Sequence, residues 1–286
     1  MKNFLDEQVQ FINTRSFIKT DPVQFPRRYE LLQDIEIVSF VVSSITWGKR
    51  EMILRSSDRM LAKMGDSPYN FVMNEDFNAL GKANIHRTFF EPDLAYMLHG
   101  FRKIYIENES VESFLAKKRA KNAWQIATAL QTEMQSANNG KTNTRNCLPL
   151  RHETSALKRL NMALRWLVRN DGIVDLGVWK LLKPSDLYIP LDIHVANISR
   201  ELGLLTRKSN DRRAVEELTA VLCGFCPEDP VKYDFALFGM GISGKLCNFA
   251  SKNRKPANPV IVQDLCKRGF KSCFGLDTNN KMIINN

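Results

Sequence analysis

The stretch DIEIVSFVVSSITWGKREMILRSSDRMLAKMG, residues 34–65, decides the fold class. Its apolar residues Ile37, Val38, Val41, Val42 and Ile45, then Met52, Ile53, Leu54, Met60 and Leu61, recur at spacings of three and four. Side chains return to one face of an α-helix at that period, whereas a half-buried strand alternates in twos. Trp47-Gly48 interrupts the pattern, so the stretch reads as two helices joined by a turn. The same period predicts helices over 74–82, 92–107, 111–135, 154–169, 192–202, 211–223 and 230–238. Start signals accompany several of them: Ser110 with Ser113, Asn210-Asp211 and Asp229-Pro230 stand where caps belong. No alternating run bounded by hairpin turns competes. The expected fold class is all-α.

Working outward, the 286 residues are 44% apolar and 25% charged, with 14 Gly and 11 Pro, which excludes disordered, collagenous and disulfide-scaffold classes. A chain of this length buries about 75% of its unfolded surface. The longest nearly apolar run, Ile37 to Ile45, is interrupted by Ser39, Ser43 and Ser44 and falls far short of the roughly 20 residues of a membrane helix, so no membrane partner is expected. The N-terminal MKNFLDEQVQ carries Asp6 and Glu7 where a signal peptide places its apolar core, which predicts a cytoplasmic protein. In that compartment Cys147, Cys223, Cys226, Cys247, Cys266 and Cys273 are expected as reduced thiols. No internal repeat is present. Polar stretches at 136–146 and 251–259 suggest one two-lobed helical domain over 1–250, with lobe junctions near 30 and 136–150, and a basic extension over 251–286.

The net charge of +10 is concentrated in two segments, 141–169 and 245–271, each netting +6, which leaves −2 for the rest of the chain. Local basic patches favour a polyanion, most often nucleic acid, through counterion release at phosphates.

The first of these segments contains LKRLNMALRWLVR, residues 157–169. Leu157, Leu160, Leu164, Leu167 and Val168 form an apolar face, and Lys158, Met162, Arg165 and Arg169 a neighbouring stripe. Thr154 or Ser155 is placed to cap the helix, and the free N–H groups at that end add positive potential beside Lys158. Neighbouring positive charge disfavours the ammonium form, and a nucleophilic amine must be neutral. Most lysines on helix faces are merely solvated, so this helix alone does not establish a nucleophile. A second segment, SDLYIPLDIHVANISRELGLL at 185–205, places Pro190 before a helix, Asp192 at its N-cap and Gly203 at its stop.

The run Pro190-Leu191-Asp192-Ile193-His194-Val195 resembles the segment that carries the essential carboxylate in helix-hairpin-helix DNA glycosylases of the endonuclease III type. The 34-residue separation of Lys158 and Asp192 is longer than in that branch and is similar to the archaeal 8-oxoguanine glycosylase branch. The closest resemblance is to an uncharacterised bacterial family related to those enzymes. It is carried by DPVQFPRRY, DIEIVSFVVSSITWGKR, LKRLNMALRWLVR, IPLDIHVANISRELGLLTRKSNDRRAVEEL and CPEDPVKYDFALFGMG, which together span 21–241.

The resemblance implies a two-subdomain helical fold with the active site in the cleft between subdomains. It implies a base-excision DNA glycosylase with AP-lyase activity, acting as a monomer on double-stranded DNA that contains a damaged base. Lys158 falls on the family's Schiff-base lysine and Asp192 on its carboxylate. VVSSITWG, residues 41–48, falls on the helix and turn of the base pocket. The glycine-rich hairpin before the lysine is replaced here by RHETSALK, and the glutamine that reads oxidised guanine by Ser43 or Ser44. Arg151, Arg159, Arg165, Arg169 and Lys245 are candidate phosphate ligands. Ser43, Ser44, Trp47, Trp166 and His194 are candidate pocket residues, and Trp179 and Tyr188 are further aromatics able to stack on a base. No cofactor or metal is expected: Cys223 and Cys226 lack the spaced partners of an iron–sulfur site, and His86, His99, His152 and His194 show no ligand spacing. The competing reading is a non-catalytic helical module that binds DNA or RNA through the same basic surface.

Overall fold

The computed structural model describes residues 1–142, 146–149 and 151–243. Within them the chain forms α1 (Lys2–Ile12), α2 (Arg15–Ile18), α3 (Leu32–Ser44), α4 (Arg50–Ala62), α5 (Pro68–Asn74), a hairpin of β1 (Asn84–His86) and β2 (Phe89–Phe90), α6 (Glu91–Glu107), α7 (Val111–Lys117), α8 (Ala123–Ala137), α9 (Lys158–Val168), α10 (Ile193–Glu201), α11 (Arg212–Phe225) and α12 (Tyr233–Ser243). The class is all-α, with one short antiparallel ribbon that the sequence pattern did not announce.

The helix α3 is the centre of the molecule. Every residue from Asp34 to Ser44 is buried, so it is a helix covered on all sides rather than an amphipathic surface one. Two of its small polar residues are satisfied within the helix: the Ser43 and Ser44 hydroxyls donate to the Phe40 carbonyl at 3.0 and 2.9 Å. Glu36 is fully buried and ties three elements together. Its carboxylate accepts from the Val111 and Glu112 amides at the start of α7 (2.9 and 3.0 Å), from the Tyr105 hydroxyl (3.0 Å) and from Trp179 Nε1 (2.8 Å). Burial pushes its pKa up, and those four donors pull it back.

Around α3, helix α9 packs on one side, α6 lies against α8, and α12 takes up both α1 and α10. The contact with α3 brings α9 against the turn that follows α3, and the contact with α12 fixes α10 across from it. These packings build the site.

Four expected helices change; the one expected over 230–238 opens as a 3-10 turn at Pro230–Lys232 and continues as α12 to Ser243. The helix expected at 74–82 does not form: α5, started by the Ser67 cap and Pro68, ends at Asn74, Glu75 is extended, and only a 3-10 turn at Phe77–Ala79 falls in that span. The expected 111–135 helix is two helices: Arg119 takes a left-handed φ of 55°, and Asn122 then caps α8 by accepting from the Trp124 and Gln125 amides. The helix expected from 154 starts at Lys158. Residues Thr154 and Ser155 are drawn away, since Ser155 bridges Asp211 and the Thr154 carbonyl accepts from the Arg212 amide at 2.9 Å.

Among the described residues no helix is long and apolar enough to cross a membrane. Cys147 and Cys226 are reduced thiols, but Cys223 is disulfide-bonded, which departs from the expectation of reduced thiols throughout. Cys247, Cys266 and Cys273 and the basic extension over 251–286 lie outside the described residues.

Candidate functional site

The site is assembled from the first residue of α9. Leu157, with φ 49°, turns the chain sharply into the helix, so Lys158 occupies the first helical position. Its ammonium reaches the Thr46 carbonyl at 3.4 Å and the Met162 sulfur, one turn on, at 3.6 Å. Thr46 belongs to the turn that leaves α3. There Gly48 supplies a φ of 99° that other residues rarely adopt, and Trp47 is half-buried, packed against the edge of the core. The Trp47 ring is held on two sides: the His86 ring meets it edge-on at 5.2 Å, and the Arg159 guanidinium lies 5.1 Å from its centroid.

Asp192 arrives from the opposite direction. Pro190 and Leu191 bring the chain in extended, and Asp192 caps α10 by accepting from the Val195 amide at 2.8 Å. Lys158, Asp192, Trp47 and His194 all line one cleft of about 1030 Å³, together with Phe17, Phe238, Asp21 and Asp234. A volume of this order holds a nucleoside-sized group.

The electrostatics weaken the ammonium form of Lys158. Burial of Lys158 lowers its pKa first, the carboxylates of Asp192, Asp234 and Asp21 oppose that, Arg159 reinforces it, and the net shift is downward. Asp234 moves the other way. Burial, with the nearby Asp192 carboxylate adding to it, pushes Asp234 up to about 7, against the pull of Arg165 and Lys158.

One observation decides which family this arrangement represents: the model of the family DUF2400, described as a protein of unknown function, matches residues 21–243. The chain belongs to that family. No curated protein and no solved structure matches the chain. The span shared with DUF2400 contains every cleft-lining residue named here except Phe17.

For the DUF2400 site, the sequence-predicted residues fall into three groups. Lys158, Asp192, Trp47 and His194 come together in the cleft, His194 on an exposed turn at its edge. Arg159 lines it too, but its guanidinium donates to the carbonyls of Ser44 and Asn146 and braces the wall.

The second group is corrected. Arg165 and Arg169 are not phosphate ligands at the surface, because both are buried and neutralised. Arg165 pairs with Asp175 at 3.2 Å and with Asp234; Arg169 pairs with Asp171 (2.6 Å), Asp175 (2.9 Å) and Asp229 (2.8 Å). Trp166 is wholly buried in the core, Trp179 is spent on Glu36, and Tyr188 packs edge-on against Trp124. Ser43 and Ser44 line a separate cavity of about 290 Å³, beside Cys147, on which Lys158 and Arg159 also border. The third group stays apart: Arg151 is exposed outside the cleft, and Lys245 lies outside the described residues.

Sequence reasoning missed Asp234 and Asp21. A signal for Asp234 was present, since it is an acid set in the apolar run of α12, where an unpaired carboxylate is rarely buried. Among the described residues no group of three His, Cys, Asp or Glu could hold a metal ion.

Proposed function

We propose that this protein is a DNA base-excision glycosylase with AP-lyase activity that acts through a Schiff base on Lys158. The observation that carries the reading is the meeting of Lys158 and Asp192, 34 residues apart in sequence, in one cleft where burial lowers the amine's pKa. In this reading the cleft separates two lobes, one contributing Lys158 and Trp47 and the other Asp192 and Asp234. The flat Trp47 ring, held by His86 and Arg159, supplies a stacking face for a base taken out of the duplex.

The chemistry follows from the groups present. The neutral Lys158 amine attacks C1′ of the deoxyribose; the bond from C1′ to the base breaks, and the base leaves with its electron pair and takes up a proton. Asp192 accepts the proton that the attacking nitrogen sheds and stabilises positive charge developing on the sugar. The sugar ring opens to an imine on Lys158, loss of a C2′ proton expels the 3′ phosphate, and water releases the amine. An amine at its ordinary pKa would be protonated and inert near neutral pH, so the downward shift is the property the reaction requires.

The capping role of Asp192 makes a clean variant available. Asparagine caps a helix about as well as aspartate, so Asp192→Asn keeps α10 while removing the base, and activity falls by about 10²–10⁴ with DNA binding retained. The test of the whole reading is borohydride trapping on duplexes carrying 8-oxoguanine, uracil, an oxidised pyrimidine or an abasic site, with Lys158→Gln in parallel. A covalent adduct on at least one duplex that disappears in Lys158→Gln is expected. Binding without an adduct on any duplex overturns the enzymatic reading in favour of a non-catalytic nucleic-acid module. The burial of Arg165 and Arg169 weighs against that module, because it removes two cations from the surface on which it would depend.

A further inference from the structure

The ribbon of β1 and β2 stands at the lip of the cleft. Its strands join through a two-residue turn, Arg87-Thr88, because His86 pairs directly with Phe89. Arg87 has a φ of 51°, at the turn position where glycine is favoured and an arginine is strained. The surroundings hold it there. His86 is buried and bonds through its two ring nitrogens to the Trp47 carbonyl (2.8 Å) and the Ser56 hydroxyl (3.1 Å), Asn84 donates to the Arg87 carbonyl, and Arg59 donates to the Ile85 carbonyl. Thr88 of the turn and Asn146, which bond to each other, line the cleft.

The Arg87 side chain lies across the glycine of the Trp47-Gly48 turn, with Nη1 2.5 Å from where a Cβ on Gly48 would stand. Gly48 therefore leaves room for the guanidinium as well as adopting its own unusual φ. Arg87 is exposed, and among the described residues its guanidinium has no carboxylate or acceptor partner. Arg87 stands beside the cleft residues Gly48 and Thr88, and the arginines that line the cleft are engaged: Arg50 faces Asp21 at 3.9 Å, Arg159 holds two carbonyls, and Arg165 is paired with Asp175 and Asp234. Strain retained at a rigidly supported position, on a cation kept free at the mouth of a cleft, fits a ligand contact better than a fold requirement.

We propose that Arg87 binds a backbone phosphate of the DNA strand whose nucleotide enters the cleft, and that the strained turn serves to aim it. This rests on the reading above of the cleft as a DNA site. A guanidinium offers a phosphate two parallel donors, and the exposed Lys49 next to Gly48 adds positive potential at the same lip.

The experiment uses the full chain and a fluorescent duplex with one tetrahydrofuran abasic analogue, titrated from low to high salt, comparing wild type with Arg87→Asn and Arg87→Lys. Asparagine tolerates the left-handed region but carries no charge. Arg87→Asn is expected to bind about tenfold more weakly, with the slope of log affinity against log salt reduced by about 0.9, and with a Tm equal to or above wild type. Arg87→Lys should recover the slope and part of the affinity. Wild-type affinity and slope in Arg87→Asn would overturn the proposal while leaving the Lys158 adduct, and the functional reading, intact. A lowered Tm with unchanged slope would also overturn it, by showing a structural role. Absence of salt-dependent binding by the wild type would overturn both.

Discussion

Replacing Arg165 by methionine tests whether the basic edge of α9 is structural. The guanidinium is buried between Asp175 and Asp234 and lies 4.4 Å from the centroid of Phe235. Methionine fills a similar volume over that ring, so the loss is chiefly electrostatic. Asp175 keeps Arg169 at 2.9 Å, whereas Asp234 retains no contacting cation. Breaking a buried pair by removing one partner costs 3–5 kcal/mol, and because only one carboxylate is orphaned the lower end, about 3 kcal/mol, applies. For a domain of this size that is a fall in Tm on the order of 10 °C. The assay is thermal unfolding at pH 8, above the value of about 7 that Asp234 has beside Arg165, with duplex binding measured alongside. Adding Asp234→Asn removes the orphaned charge, so the double variant should be more stable than Arg165→Met alone, with a coupling of about 0.5–3 kcal/mol. An Arg165→Met variant that unfolds within about 2 °C of wild type and loses about 0.9 of salt slope would refute the reasoning and return Arg165 to the phosphate-binding surface.

Because Asp234 is raised from 3.8 to about 7, the folded chain holds a proton between those values that the unfolded chain has released, so stability falls as pH rises through that window, by at most about 1.4 kcal/mol per pH unit. Asp234→Asn should flatten the Tm profile between pH 5 and 8, and a profile parallel to wild type would count against the shift. Gly100→Ala on α6 should destabilise by about 1–3 kcal/mol in denaturant melts despite its better helix propensity, worth about 1 kcal/mol, because the new methyl would stand 2.3 Å from Met134 Cγ and 3.1 Å from Met134 Cα where α8 crosses. Glu36→Gln sets an amide against donors that need an acceptor, and urea unfolding should show a loss of about 2–4 kcal/mol; a variant as stable as wild type would mean Glu36 is protonated in the folded state.

Much of the fold was legible because local rules and tertiary packing agree where the chain is periodic. The helices α3, α4 and α6 follow their apolar spacing, and Asp192 and Asp211 cap α10 and α11 as their side-chain chemistry suggests. The ribbon at 84–90 was not legible, since its strands are too short to show alternation and its turn uses arginine where a glycine would have announced it. The split between α7 and α8 hid for a similar reason: Arg119 and Asn122 redirect the chain without proline or glycine.

The sequence by itself determined the helical class, the apolar character of α3, and the chemical identity of the amine and carboxylate, since each depends on residue type and near neighbours. Only the tertiary structure decided which charges are spent. Arg165 and Arg169 look like solvated cations on a helix edge until Asp171, Asp175, Asp229 and Asp234, contributed by later parts of the chain, fold against them. It likewise decided that Lys158 is desolvated and that Asp192, Asp234 and Trp47 face it. Desolvation and Coulomb attraction depend on distance through space and on what excludes water, and neither quantity is carried by the order of residues along the chain.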